Sequence, residues 1–543
     1  MRRFAALLVI ASVACTRAAH PPDEPAPEDA AVAHDAAPDA SLDGAADAQT
    51  LSPDASALDA LPADTGTIDD SPIDDRFRPL ATTFDTERMH LGAPGAALLI
   101  LEHGEVTFAH GFGVKHPSMP DPVHATTLFR IGSVTKALTA TVLLQLVASG
   151  TVALDRPITD ALHGFAFTGD ATWAPSITVR DLLMHASGIV DYLELDCAHD
   201  DASLDPYLST QFTRIAYLMD PPGSMYDYSN PNFALAGLIL ERRSGLEYRA
   251  ALKTRLFTPL GMDRTFFLGE EAIADGDYAY GLVTSTSTTG QTHIAGPTSY
   301  DCAWARPAGY AFSSVRDLAK FVLFLAKGND MVLDPTLRQA MTSAQIDTKE
   351  FLDLIHYGFG VSVYDGIFLG QNFYRTTILT HDGAIDGYSA EWWYVPALDF
   401  GFIAFANTDG AYFADSLVLA LETLPQLPAP SPAPDFTVDP ATFMKYTGTY
   451  QDNFNVGRIV VTKTSTSLSV SMPDLDAQRI AYDPVLAADS PDNFILTIEG
   501  EQVPVTFILD ASGAAQYFRT RPFVGHRVPM FRRPVERSIA IDK

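Results

Sequence analysis

Residues 131–150 read IGSVTKALTATVLLQLVASG. A serine opens an apolar run and a lysine follows it by three positions. Val134, Leu138, Val142 and Leu146 recur at helical spacing, which predicts a helix of about four turns ending near Gly150. Residues three apart on a helix share a face, so Lys136 can reach the Ser133 hydroxyl. A serine nucleophile must pass its proton to a base. A lysine can accept it only when neutral, and burial among apolar neighbours pushes an amine that way. The plainer reading is a capping serine with a solvated lysine, because an S-x-x-K arises by chance in a chain of this length. Against it, Lys136 is the only lysine of the chain with a serine three residues before it, and its apolar neighbours predict burial.

Outward from this stretch the chain changes character. It has 543 residues, 47% of them hydrophobic, and a formal net charge of −31. That length predicts two or more domains with tails. The charge argues against nucleic acid or an anionic membrane surface as partner. The opening, MRRFAALLVIASVACTRAAH, places Arg2 and Arg3 before an apolar stretch too short to span a bilayer, and reads as an export signal. Cys15 follows SVA, as in the lipobox of bacterial lipoproteins, although Ser12 stands where leucine is usual; ordinary cleavage after Ala14 is the alternative. Residues 16–75 are dominated by Ala, Pro and Asp, lack Phe, Tyr and Trp, and hold nearly half of the net negative charge. Such a segment buries too little apolar surface to offset its ordering entropy and reads as a disordered, self-repelling tether.

Five spans follow: signal and lipobox at 1–15, tether at 16–75, a main domain at 76–423, a proline-rich linker at 424–435 and a C-terminal β domain at 436–535. In the main domain, residues 95–114 predict two strands around a turn at His103-Gly104. Helices are predicted within 177–189, 229–245 and 313–328, the last two ending at glycine. Strand-like runs (YGFGVSVY, RTTILTHDG, YSAEWWYVP and DFGFIAFAN) come next. Strands first, then helices, then strands predicts an α+β fold. The two ends of the domain form one antiparallel sheet, flanked by helices and carrying a helical subdomain. After the linker the pattern alternates in period two with no convincing helix, which predicts a small all-β module.

Two further polar clusters stand out. PPGSMYDYSNPNF (221–233) presents Tyr228 and Asn230 two apart, able to point a phenol and an amide to one side. LTHDGAIDGYSAEWW (379–393) has His381 and Gly383 at the end of a predicted strand, where a glycine admits a close backbone approach. Each alone is weak: the first is as readily a polar turn before a helix. In this order and at these separations, S-x-x-K, Y-x-N and [K/H]-x-G resemble the serine β-lactamase and penicillin-binding protein superfamily. Within it the chain is most similar to the class C β-lactamase-related hydrolases, which include esterases, D-aminopeptidases and D,D-peptidases. TLFRIGSVTK, ITVRDLLMHASGI, PPGSMYDYSN, ARPAGYAFSSVRDLAKF and HDGAIDGYSAEWWYVP each resemble a family block, in family order, across residues 77–422. FMKYTGTYQ (443–451) and its following strands resemble the lipocalin-like domain often appended to this family.

The resemblance implies that Ser133 is acylated, that Lys136 and Tyr228 share the proton work, and that Asn230 orients the substrate and the lysine. It implies an oxyanion hole from the Ser133 and Ala384 amides, with Asp382 and Gly383 bordering the substrate, and no metal or cofactor. His381 takes the place of a third-motif lysine and is expected to donate to Tyr228 or to assist its proton relay. His185 and Ser187 lie in a block that shapes the cleft, and His185 is read as structural. Cys197 and Cys302 fall in loops that border the cleft in the family. In an oxidising compartment they are expected to form a disulfide.

The chain lacks any Lys-[Ser/Thr]-Gly, which family members that hydrolyse penicillins usually have for the substrate carboxylate. An inward Asp382 would repel an anion; an outward one would be a solvated turn residue. The expected protein is an exported, lipid-anchored hydrolase of the bacterial cell envelope acting on small esters, amides or D-amino-acid peptides. Its membrane contact would be through the anchor only. Two rival readings are a β-lactamase or D,D-carboxypeptidase on the same fold, and a non-catalytic envelope protein that binds muropeptides or a partner.

Overall fold

The run GAALLILE forms strand β1 (Gly95–Glu102), buried at every position. It lies inside a computed structural model that describes residues 70–167, 172–191, 198–284 and 292–528. The signal, Cys15, residues 16–69 of the tether and Cys197 lie outside the described residues. β1 turns through His103 and Gly104, at φ of 54° and 81°, into β2 (Glu105–His116). Two left-handed central residues match the twist of the flanking strands, as a two-residue hairpin requires.

Helix α1 (Arg78–His90) precedes the hairpin, where strands were expected to come first. Its pattern RPLATTFDTERMH buries only Leu80, Ala81 and Phe84, too few for a clear helical period. The end of the stretch read as tether is also ordered. Asp70 accepts hydrogen bonds from the Gly111 and Ala125 amides at 3.2 and 2.8 Å, and Ser71 N donates to Ala109 O at 2.7 Å. A composition reading averages over neighbours and cannot see a single aspartate that accepts from two amides of the folded domain.

The chain continues through β3 (Met119–Pro122), α2 (Thr135–Ala148), α3 (Val179–Leu183), α4 (Asn230–Ser244) and α5 (Val315–Lys327). It returns through β4 (Ile346–Asp347), β5 (Ile355–Tyr357), β6 (Ser362–Tyr364), β7 (Ile378–Ile385), β8 (Tyr388–Val395), β9 (Phe400–Ala406) and α6 (Ala414–Thr423). One antiparallel sheet results, in the order β3-β2-β1-β9-β8-β7-β6-β5-β4. Its centre pairs the two ends of the domain, with Leu99 opposite Ile403. Alternate side chains serve opposite faces. Leu98 and Ile100 pack with Phe84 of α1 and Leu417 of α6; Leu99 and Leu101 pack with Leu138 of α2, Leu238 of α4 and Phe321 of α5. The fold is α+β, as expected.

Residues 448–527 form a closed antiparallel barrel of consecutive strands: β10 (Gly448–Gln451), β11 (Arg458–Lys463), β12 (Leu468–Ser471), β13 (Val485–Ser490), β14 (Asn493–Ile498), β15 (Glu501–Leu509), β16 (Ala515–Arg519) and β17 (Val524–Arg527). A short helix, Pro473–Gln478, interrupts a region read as free of helix. The barrel docks on the helical side of the main domain, where Val524 packs with Val190, Met219 and Met225. Cys302 is disulfide-bonded, and Ala303 N donates to the carbonyl of Ala198, the neighbour of Cys197.

Candidate active site

Gly132 takes φ of 48° and turns the chain into a 3₁₀ turn, Gly132–Val134, that runs directly into α2. This places Ser133 at the mouth of the helix, 8% exposed, and Lys136 on its first turn, fully buried. Lys136 Nζ lies 2.9 Å from Ser133 Oγ, 2.7 Å from Asn230 Oδ1 and 2.7 Å from Ala308 O. An ammonium has three protons for these three acceptors. The neutral amine has two, which serve Asn230 and Ala308, and its lone pair is then turned to the serine hydroxyl. The solvated-lysine alternative does not apply.

The Y-x-N segment lies across the lysine. Tyr228 presents its ring 4.9 Å from Lys136 Nζ. His185 stacks against that ring at 4.2 Å, and its Nδ1 accepts from Ser229 N at 3.1 Å, so the structural reading of His185 fits. Burial, then the Lys136 charge, drives the His185 pKa well below its ordinary value, which keeps the ring neutral. Ser187 Oγ donates to Asn232 Oδ1 at 2.5 Å, tying the same loop to α4. Asn230 opens α4, and its amide donates to Asp191 Oδ1 at 2.6 Å.

β7 supplies the third wall. β6 pairs with it only as far as Thr380, so residues 381–385 keep an edge free for the serine turn. Gly383 permits the approach: a Cβ there would stand 2.0 Å from Ile131 O and 2.9 Å from Ser133 N. The close backbone that this glycine admits is therefore the protein's own. A Cβ on Gly132 would likewise stand 2.5 Å from Ala384 N. The two glycines bring the Ser133 and Ala384 amides side by side, the arrangement an oxyanion hole needs.

His381 is buried and turned away from its expected task. Its Nδ1 lies 2.6 Å from Asp382 O, so it carries the proton, and Nε2, at 3.0 Å, accepts from the Tyr357 hydroxyl. Burial and the Lys136 charge lower its pKa to about 3, so it is neutral at physiological pH. The expected donation to Tyr228 gives way to a contact with Tyr357, contributed by β5. Asp382 is neither solvated nor simply inward. It is half-buried, its Oδ2 accepts from Tyr412 at 3.4 Å, and burial raises its pKa to about 6 against the charges of Lys136 and Arg521.

The family model described as beta-lactamase matches residues 77–424, more than half of the chain. The chain belongs to the beta-lactamase family. Penicillin-binding protein 4 of Amycolatopsis lactamdurans is 35% identical over 35% of this chain and 49% of its own length. Esterase EstB of Burkholderia gladioli is 31% identical over 35% of this chain and 52% of its length. The chain thus spans about half the length of these relatives. Among solved structures, SurE matches with a TM-score of 0.60 at 22% identity, covering 83% of this chain and 99% of that one, which is a likeness of fold.

Within this family frame, Asp191, Tyr357 and Arg521 are site residues that motif reading missed. Asp191 follows the HASGI block and was within reach of it. Tyr357 and Arg521 carry no local signal; Arg521 binds Asp191 across 330 residues of sequence.

Proposed function

We propose that this chain is a serine hydrolase that cleaves small esters and amides through an acyl-enzyme on Ser133. The observation that carries the reading is the buried Lys136 amine, held between Ser133 Oγ, Asn230 Oδ1 and Ala308 O. Neutral Lys136 takes the Ser133 proton as Oγ bonds to the substrate carbonyl carbon, and the carbonyl oxygen becomes an oxyanion facing the Ser133 and Ala384 amides. Collapse of that intermediate breaks the bond to the alcohol or amine, which leaves with a proton relayed from Lys136 through Tyr228. Water then attacks the ester carbon on Ser133 and gives its proton to the same pair; the acyl–Oγ bond breaks, the carboxylic acid departs, and the proton returns to Oγ to restore the hydroxyl. An oxyanion-hole donor is typically worth about 3–4 kcal/mol. Similarity to one protein named an esterase and to another named a penicillin-binding protein supports acyl transfer as the reaction class.

Substrate choice follows from β7. His381 carries no charge at pH 7, and Asp382 is largely ionised there. Neutral esters and substrates with a free amine are favoured over penicillins and peptides ending in a carboxylate. Loss of one charge-assisted hydrogen bond costs about 1.5–3 kcal/mol, roughly one to two decades in rate. In the same reading the chain is exported and held to the cell envelope through Cys15 and its acidic tether.

Intact-mass analysis with an acylating ester should find one adduct, absent in Ser133→Ala; an adduct that persists there removes the assignment. Turnover of p-nitrophenyl butyrate and a D-alanine p-nitroanilide should exceed that of nitrocefin and a D-Ala-D-Ala peptide, and the reverse order refutes the preference. Metabolic labelling with palmitate should mark the wild type and not Cys15→Ser.

A further inference from the structure

The barrel reaches the active site through one turn. β16 and β17 are joined by Thr520-Arg521-Pro522-Phe523, closed by Thr520 N to Phe523 O at 3.0 Å and Thr520 Oγ1 to Phe523 O at 2.7 Å. Asn455 clamps it further, donating to Pro522 O at 2.8 Å. The turn is thus rigid, and Arg521 projects from it into the main domain with a side chain only 11% exposed. Its guanidinium carbon lies 4.7 Å from the centre of the Tyr228 ring, and Nε donates to Asp191 Oδ2 at 2.7 Å. Asp191, itself buried, holds the Asn230 amide with its other oxygen. Two residues earlier, Arg519 Nη1 donates to Tyr226 O at 2.7 Å. One hairpin end therefore grips the motif segment at Tyr226, Tyr228 and, through Asp191, Asn230.

We infer that Arg521 is a positioning residue of the hydrolase site, and that the barrel completes this site rather than merely accompanying it. The inference rests on the serine hydrolase reading above. A cation on a ring face at this distance is an attractive contact, and a buried guanidinium–carboxylate pair fixes orientation as well as charge. Tyr228 then lies beside the Arg521 guanidinium and the Lys136 amine, which becomes a cation when it takes the serine proton, with His185 stacked on its ring. Negative charge that develops on the phenolic oxygen during the relay is stabilised by both. The Arg521 and Asp191 charges also cancel, so the pair adds no net attraction for a substrate carboxylate.

The test uses the full chain and a neutral p-nitrophenyl ester, with fluorophosphonate labelling of Ser133 as a second readout. Arg521→Gln should lower kcat and the labelling rate by roughly 10- to 100-fold, the loss typical of one buried charge-assisted contact, with KM little changed. Arg521→Lys should recover part of the loss, since it keeps the charge but not the fork. Asp191→Asn combined with Arg521→Gln should cost little more than either alone. Arg458→Gln, which removes an exposed barrel arginine that is no part of the site, should leave kcat within threefold of wild type. Arg521→Gln at wild-type kcat, or Arg521→Gln and Arg458→Gln losing equally, overturns the inference. A wild type that neither turns over esters nor labels at Ser133 overturns the hydrolase reading instead.

Discussion

At position 382 a half-buried carboxylate feels Lys136 and Arg521, and burial lifts its pKa from 3.8 to about 6. Two consequences follow from that one group. As pH rises through about 6, the cleft gains a negative charge, and substrates bearing an amine should gain on neutral esters. The ratio of kcat/KM for a D-alanine p-nitroanilide over p-nitrophenyl butyrate should rise several-fold between pH 5 and 7.5, allowing for titration of the substrate amine. In Asp382→Asn that rise should flatten. The stability effect has the opposite direction. Between about 4 and 6 the folded chain holds a proton that the unfolded chain has released, so this group's contribution to stability falls as pH rises through that window. Asp382→Asn should therefore gain in Tm relative to wild type at pH 8 and show little gain at pH 4. An equal shift at both values would mean that the carboxylate is not perturbed in the folded chain. Stability gained at the expense of activity is the usual exchange at such positions.

Between elements, the contact that matters is backbone against backbone. β7 closes on the Ser133 turn because Gly383 and Gly132 have no Cβ where Ile131 O, Ser133 N and Ala384 N stand. Gly383→Ala should force β7 off the turn, at a cost of about 1–3 kcal/mol in stability. Its kcat should fall by at least tenfold, because the two amides part; acyl-enzyme accumulation by mass spectrometry measures this directly. Full activity in Gly383→Ala would show that Ala384 N takes no part in binding the oxyanion. The S-x-x-K relation was legible because it is local: a helix puts residues three apart on one face whatever surrounds it. The role of His381 was not. Its partner, Tyr357, arrives through the pairing of β5, β6 and β7, and nothing within a few residues of HDG announces it.

At the scale of the whole molecule, barrel and main domain share an apolar seam and a set of arginine contacts. Val524 is 1% exposed between Val190, Met219 and Met225. Val524→Asp buries an unpaired charge there, a change that costs several kcal/mol when no partner is present. The barrel should undock, Tm should fall, and ester hydrolysis should drop with it although Val524 has no part in the chemistry. Unchanged hydrolysis in the undocked protein would show that the site stands without the barrel. A second long-range tie is the disulfide of Cys302. Non-reducing peptide mapping should link it to Cys197, and reduction should cost about 2–4 kcal/mol; two free thiols in exported material would contradict the pairing.

By itself the sequence determined the parts whose physics is local. The Ser133–Lys136 spacing, the two-residue turn at His103-Gly104, the glycine at the end of α4 and the period-two pattern of the barrel follow from backbone geometry and hydrophobic alternation over a few residues. So did the order of the three motifs, which carried the family. Tertiary structure decided what those parts do to one another. It turned His381 from an expected donor to Tyr228 into a neutral acceptor for Tyr357. It showed that Gly383 makes room for the chain's own Ile131, and it brought Arg521 onto Tyr228. Each of these is a contact between residues far apart in sequence, set by sheet register and domain docking, and neither leaves a periodic trace in the residues that make it.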